Sequence, residues 1–260
     1  MNSDAVRAVF DRQMRRETPG DGPGVRVERA GDVVRQTGGG GDWNGVLWSG
    51  LGEDGADADA VIAAQVKHFG ALGLEFEWKL YSHDTPHDLG ARLAAAGFEA
   101  EPAEALMVAE VAELPTEVRL PEGVRLVPVT DAAGVRLMGE AHDEAFGSDS
   151  SRIQHQVLTR LEADPEGLVA VLAMAGDRPV CAARIEFQTG TDFASLWGGG
   201  TAPEWRGKGI YRALVAYRAA IAAERGYRYL QVDATDDSRP ILERLGFTRL
   251  STTTPYVYGA

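Results

Sequence analysis

The sequence predicts an α/β (α+β) protein built from two similar domains. Two-residue alternation of apolar and polar side chains takes turns with helical spacing along the whole chain. Residues 57–111 and 211–258 also pass through one series: helix, glycine, strand, short helix, Gly-Phe, strand. Gly73 and Gly97-Phe98 in the first are answered by Gly226 and Gly246-Phe247 in the second. A single echo at an offset of roughly 150 residues fits two related domains rather than a solenoid. Finally, Leu114 to Gly123 has two prolines and a glycine, the composition of a linker. The expected division is residues 1–115, a linker at 116–123, and residues 124–260.

In the first half, Ser3 to Arg16 reads as a helix capped by Ser3, with Val6, Val9, Phe10 and Met14 at helical spacing. The turn Thr18 to Gly24 (TPGDGPG) leads into a small hairpin, Val25 to Glu28 and Asp32 to Gln36. Gly38 to Gly41 reads as a turn and not a phosphate loop, because no basic residue follows closely and no helix starts there. Asn44 to Leu51 is a strand. Asp57 to Leu72 is a helix with Val61, Ile62, Val66, Phe69 and Leu72 on one side. Leu74 to Tyr81 alternates Leu74, Phe76, Trp78 and Leu80 against Glu75, Glu77 and Lys79, a half-buried strand. Asp88 to Ala96 is a helix stopped by Gly97, and Leu106 to Val111 is a strand.

The second half opens with a strand at Val124 to Val129. Helices follow at Ala132 to Glu144 and Ser151 to Glu162, with strands at Leu168 to Ala175 and Val180 to Phe187 around Gly176-Asp177. Phe193 to Gly199 is a strand that runs into glycines. Tyr211 to Glu224 is an amphipathic helix with Ile210, Leu214, Tyr217 and Ile221 on one face. A strand at Tyr229 to Ala234, a helix at Arg239 to Leu245 and a strand at Thr248 to Tyr258 complete the chain.

Composition narrows the function. The chain has 260 residues, 44% hydrophobic and 25% charged, an ordinary globular balance. The longest uncharged apolar run, Leu168 to Gly176, is far short of the ~20 residues a membrane helix needs. The charged N-terminus lacks the apolar core of a secretory signal, so the expected location is the cytoplasm, with no membrane partner. The single cysteine, Cys181, rules out an internal disulfide and a cysteine-based zinc site; no metal is expected. A net charge of −13 argues against a nucleic-acid partner. Residues 1–123 hold 22 acidic and 11 basic side chains, an asymmetry that suits solubility or attraction of cationic substrates.

The segment that carries chemistry is Trp197 to Arg212, WGGGTAPEWRGKGIYR. A strand ends in glycines, a loop follows, and a helix begins. Helix N-termini present unpaired N–H groups and the positive end of the dipole, and glycines let a phosphate approach the backbone. Arg206, Lys208 and Arg212 add charge: residues 204–228 hold six basic and two acidic side chains. A P-loop is excluded, since Ala202 stands where its first glycine belongs and Gly209 follows Lys208. The dinucleotide fingerprint fails because Arg212 replaces the third glycine.

Arg206-Gly207-Lys208-Gly209-Ile210, preceded by Pro203, resembles the pyrophosphate loop [RQ]-x-x-G-x-[GA] of the GCN5-related N-acetyltransferases (GNAT). Ser238 to Phe247 (SRPILERLGF) is similar to that family's second motif, ending in Leu-Gly-Phe. The likeness spans about residues 124–260. It reaches weakly into the first half, where Leu89 to Phe98 (LGARLAAAGF) resembles the second motif. There the loop motif is missing, and LWSGLGEDGADA, from Leu47, has three acids and no base.

The resemblance implies two GNAT-like domains, each a mixed, mostly antiparallel sheet flanked by helices, the first degenerate. It implies acetyl-CoA as co-substrate, held by Gly200, Thr201, Ala202, Arg206, Gly207, Lys208, Gly209, Ile210, Tyr211, Arg212 and Ser238. The acceptor would be a primary amine of a small molecule or peptide, beside Phe146 and Trp197, with Trp205 a further aromatic candidate. Since the attacking amine must be neutral and its ordinary pKa is near ~10.4, a base is needed; Glu186 and Asp233 are the candidates. Backbone N–H groups around Gly199 to Thr201 would hold the oxyanion. Two departures stand out: Tyr211 occupies the sixth loop position, and Leu242 stands where the family often has an acidic tyrosine. Tyr256 is the candidate replacement acid, with Tyr211 and Tyr258 as others. His142 and Asp143 read as a polar helix face, and Cys181 as a small buried residue. The chain is expected to be a monomer or homodimer. The other open readings are a non-catalytic CoA-binding or protein-interaction module, and a transferase of another acyl group.

Overall fold

The computed structural model describes residues 1–259 except Pro23 and Gly40. One residue of the Thr18–Gly24 turn and one of the four-glycine run therefore lie outside the described residues. The chain forms two compact units, each assembled from separated segments. The first contains Met1–Met107, Asp233–Arg239 and Arg249–Ala260; the second contains Val108–Val232 and Pro240–Thr248. This division differs from the one expected at residues 116–123. Composition marks a flexible stretch, but it cannot show which sheet a terminal strand joins.

In the first unit, α1 (Ser3–Phe10) continues into a π-helical turn over Asp11–Arg16. Asn2, not Ser3, caps it, accepting from the Ala5 N–H. The widened turn buries Arg15 in place of Met14, which the 3.6-residue spacing put inward. The hairpin β1 (Arg26–Ala30) and β2 (Val33–Thr37) leads to β3 (Gly45–Ser49), all antiparallel. Helix α2 (Ala58–Leu72) then crosses to β4 (Phe76–Tyr81), which pairs parallel with β3. Gly73, at φ +66°, closes α2 in the left-handed conformation that glycine adopts without cost. After α3 (Leu89–Ala95) come the two-residue β5 (Glu99–Ala100) and β6 (Glu104–Glu110), of which Glu104–Met107 belong to this unit. The end of the chain also joins the sheet: β12 (Thr248–Tyr258) pairs antiparallel with β4 and with β5.

The core of this unit joins Val33, Val46 and Trp78 of the sheet to Ile62 and Phe69 of α2 and Leu89 and Leu93 of α3. Phe69 stacks on Phe76 at 4.2 Å between ring centres. Leu72, expected inward, is exposed; Gln65 is buried instead and accepts from Arg35.

In the second unit, β7 (Val124–Val129), β8 (Leu168–Ala175), β9 (Arg178–Phe187) and β10 (Phe193–Thr201) form an antiparallel run. Helix α6 (Ile210–Glu224) carries the chain to β11 (Tyr229–Ala234), which pairs parallel with β10. Helices α4 (Ala132–Phe146) and α5 (Ser151–Ala163) cover one face. There Val135, Met138 and Ala141 pack on Ala170, Leu172 and Ala182. Ile210 and Leu214 of α6 cover the other face, against Val171, Ala173, Cys181 and Ala183. The short α7 spans Arg239–Arg244. The expected fold class holds: a mixed, mostly antiparallel sheet flanked by helices. One pattern is broader than read from sequence. Helix α6 is buried on more than one side, through Ala213, Ala216, Ala219 and Ala222 as well as Leu214, because the turn Val111–Glu113 also packs on it.

Arg15 clamps the N-terminal helix to the first sheet. It is 2% exposed. Its Nη2 donates to Asp84 at 2.7 Å, Nη1 to Asp11 at 2.8 Å and Nε to the Leu47 carbonyl at 3.0 Å, over the Tyr81 ring. Removing it by Arg15→Ala leaves Asp84 buried without its cation. The expected loss is about 3–5 kcal/mol, measured as a fall in unfolding free energy in urea.

Candidate functional site

Strand β10 shares its ladder with β11 only from Phe193 to Ser195. Beyond Ser195 the two strands part, and β10 stays paired with β9 alone. That pairing is itself interrupted: Trp197 opposes Arg184 and Gly200 opposes Ala182, with Gly198 and Gly199 in the bulge between. A bulge re-aims the backbone and leaves peptide groups outside the ladder.

The two glycines of the bulge and Gly200 beside it are a packing requirement. A Cβ on Gly198 would lie 2.7 Å from the His142 ring; on Gly199, 2.7 Å from the Tyr211 ring; on Gly200, 2.5 Å from the Phe146 ring. Gly198 also has φ +59°, where a side chain is strained. Helix α4 thus presses on the strand with His142 and Phe146, and α6 with Tyr211. Phe146 remains 58% exposed and Trp197 36% exposed, an aromatic rim beside the bulge.

The loop after β10 leads directly into α6. Gly207 and Gly209 have φ +73° and +84°. No atom lies within 4 Å of where a Cβ on Gly207 would be, and only the Arg212 guanidinium, at 3.7 Å, for Gly209. The first intrahelical bond runs from the Ala213 N–H to the Gly209 carbonyl. The four N–H groups ahead of it, from Gly209 to Arg212, therefore have no acceptor within the helix. Lys208 stands over the Trp205 ring at 4.3 Å. Open backbone, a helix N-terminus and two exposed cations form a cradle that fits a pyrophosphate.

Arg206 has a different use. Its Nε donates to the Thr201 carbonyl at 3.1 Å and its Nη2 to the Ala145 carbonyl at 2.9 Å. It braces the loop between the end of β10 and the end of α4. Beneath the bulge, Cys181 lies 3.2 Å from the Thr201 hydroxyl, and burial pushes its thiol up to about 11. Arg218 of α6 is fully buried, donating to the Leu214 and Arg184 carbonyls at 3.0 and 3.1 Å.

The second unit gathers Gly200, Thr201, Ala202, Arg206 to Arg212, Glu186, Phe146 and Trp197. Glu186 opposes Ser195, where β10 leaves β11, and accepts from Arg184 at 2.6 Å. Asp233, Ser238 and Tyr256 belong to the first unit. Ser238 donates to the Thr235 carbonyl. Tyr256 packs against the first core, its hydroxyl against Gly90. Asp233 holds Lys79 at 2.5 Å; burial opposes the ammonium, yet Asp233 keeps Lys79 well above the usual lysine range. Glu104 borders the same cluster, and burial, with Asp233 beside it, pushes its carboxyl up to about 7.

His142 is the residue that sequence reading misplaced. It is 2% exposed rather than on a polar face, and lies 2.8 Å from the Gly198 carbonyl through Nε2. A carbonyl only accepts, so Nε2 carries the proton. Burial, reinforced by Arg184, holds the imidazole below its ordinary value against the pull of that carbonyl. A signal was present: His142 and Phe146 are four apart on one helix face.

Residues 135–247 match the sequence model of the acetyltransferase (GNAT) family. A search of curated proteins finds no match. Among solved structures, the chain is similar to a GCN5-related N-acetyltransferase from Kribbella flavida, at 20% identity and TM-score 0.69, covering 98% of this chain and 93% of that one. A GCN5-related N-acetyltransferase from Sphaerobacter thermophilus gives 17% identity and TM-score 0.61, over 87% and 80% of the two chains. A tandem GNAT protein from the clavulanic acid biosynthesis pathway gives 14% and 0.59, over 91% and 83%. At these identities the likeness is one of fold.

The raised Glu104 carboxyl predicts a pH effect. Its value in the folded chain, about 7, lies above its ordinary 4.5. The protonated form therefore favours the fold below 4.5, and that contribution is lost as pH rises through 7. Glu104→Gln is expected to leave Tm near the parent's at pH 4.5 and to raise it relative to the parent at pH 8, in thermal melts at both values.

Proposed function

The chain carries a GNAT acetyltransferase domain over residues 135–247, an acyl-CoA-dependent acyltransferase, and from that premise we propose that it moves an acetyl group from acetyl-CoA to a primary amine of a small molecule or peptide. The observation that carries this reading is the continuity of the β10 bulge with the glycine cradle at the start of α6. One end suits a pyrophosphate and the other offers backbone N–H groups outside the ladder.

Gly207 to Arg212 would hold the pyrophosphate through the N-terminal N–H groups of α6, with Lys208 and Arg212 supplying charge. Arg206 contributes by keeping the loop in place. The N–H groups of the bulge would receive the negative charge that grows on the thioester oxygen when the amine attacks. Phe146 and Trp197 would border the acceptor. Glu186 is the favoured base, from its register position where the strands part; Asp233 is committed to Lys79. Leu242 leaves the family's tyrosine position without an acid. A thiol of ordinary pKa near ~8.5 is already a fair leaving group, so the reaction does not depend on one.

The first unit reads as a degenerate partner. Between β3 and α2 it places Glu53, Asp54 and Asp57 and no base, which repels phosphate. The acceptor is taken to reach the protein in the cytoplasm, and the chain to act as a monomer or homodimer. A non-catalytic CoA-binding module is the second reading. It is favoured by Leu242 and by the pairing of both candidate bases with cations.

Calorimetric titration with acetyl-CoA is expected to give one site per chain. Two sites would mean that the acidic loop does not exclude the ligand, and no binding would overturn the cradle assignment. Lys208→Glu, at an exposed position, should weaken binding about tenfold or more without lowering Tm. Thiol release above background with a panel of amines separates turnover from mere binding.

A further inference from the structure

The Gly198–Gly199 peptide lies where the β9–β10 register is interrupted. Its carbonyl accepts from His142 Nε2 at 2.8 Å, and neither residue takes a paired position in the β9–β10 register. The peptide is planar and trans, so the Gly199 N–H points opposite to the Gly198 carbonyl. Fixing the carbonyl fixes the N–H.

We infer that His142 is a positioning residue, setting the direction of the Gly199 N–H so that it meets the thioester carbonyl of the acyl donor. The imidazole touches neither reactant and acts only through this peptide. Three features make the device rigid. His142 is almost wholly buried on α4, whose Val135, Met138 and Ala141 are locked in the core. Its ring fills the place a Cβ on Gly198 would need. The end of the same helix is tied to the end of β10 by Arg206, through Ala145 and Thr201. Without the imidazole, a glycine pair in a bulge has wide backbone freedom, and the N–H loses its aim.

The inference rests on the acetyl-CoA reading, and its test separates the two. Protein labelled with 15N-glycine is titrated with acetyl-CoA and, separately, with CoA, which lacks the thioester carbonyl. In the parent, acetyl-CoA is expected to move the Gly199 amide proton downfield relative to CoA. His142→Leu should abolish that difference and reduce the affinity preference for acetyl-CoA over CoA by about fivefold, the loss of one hydrogen bond. CoA affinity itself should stay within about twofold. His142→Gln, whose amide can reach the carbonyl, should retain the signal; His142→Asn, polar but too short, should lose it. The Gln and Asn variants decide the matter if the Leu variant does not fold. An unchanged Gly199 difference in Leu and Asn variants overturns the inference while leaving the acetyl-CoA reading in place. Loss of CoA affinity in step with the signal also overturns it, since the role is then structural. A parent that binds neither ligand defeats the acetyl-CoA reading itself.

Discussion

The second unit is organised around a strand that gives up its partners. Three residues of β10 bond to β11, and then the strands part. A peptide released from a ladder must find other partners or stand open to solvent or ligand. The chain accepts this over a short stretch and braces it on every side. Three consecutive glycines allow the backbone to bend. His142 and Phe146 from one helix and Tyr211 from another fill the places where side chains would be. Any residue with a Cβ at these positions would have to displace a packed ring, so the bulge and its two helices form one unit of structure.

The same economy governs the charges. In a chain of net charge −13, the start of α6 gathers cations, but they are not equivalent. Arg206 gives two of its donors to backbone carbonyls. Arg218 is buried and spends its donors on carbonyls as well; burial lowers its hold on its proton. Lys208 and Arg212 stay exposed. The positive field at the cradle thus comes from two exposed cations and a helix terminus, while the guanidinium groups bonded to carbonyls brace the backbone.

The pattern of elements was legible because each was encoded locally. Trp78 and its alternating neighbours, the glycine stops at Gly73 and Gly97, and the strand–glycine–helix run at 197–212 all report on their own stretch of chain. What escaped detection depended on tertiary partners. Nothing local shows that β12 joins β4, or that a π-helical turn swaps Arg15 for Met14. His142 resembled a surface residue because its partner lies 56 positions away. Arg206 was legible as a member of a loop motif, but its use as a brace requires knowing where Ala145 and Thr201 sit. Buried polar residues that serve backbone groups leave no periodic trace, since their partners are peptide atoms that every residue has.

The two units share a topology and differ where the chain enters the crossing helix. In the first, an antiparallel run β1-β2-β3 is followed by α2 and a parallel β4. In the second, β8-β9-β10 is followed by α6 and a parallel β11. In both, the parallel pairing is short: two positions between β3 and β4, three between β10 and β11. The backbone geometry that frees peptide groups is therefore common to both. What differs is the connection into the helix. Before α6 it supplies Arg206, Lys208 and two glycines at positive φ with room around them. Before α2 it supplies Glu53, Asp54 and Asp57, and a Cβ at Gly55 would meet Pro86 at 2.6 Å. An anion approaching the second helix start meets cations and open backbone; at the first it meets carboxylates and a proline ring. The topology is common to both units, and the loop residues set the charge and the room at each helix start.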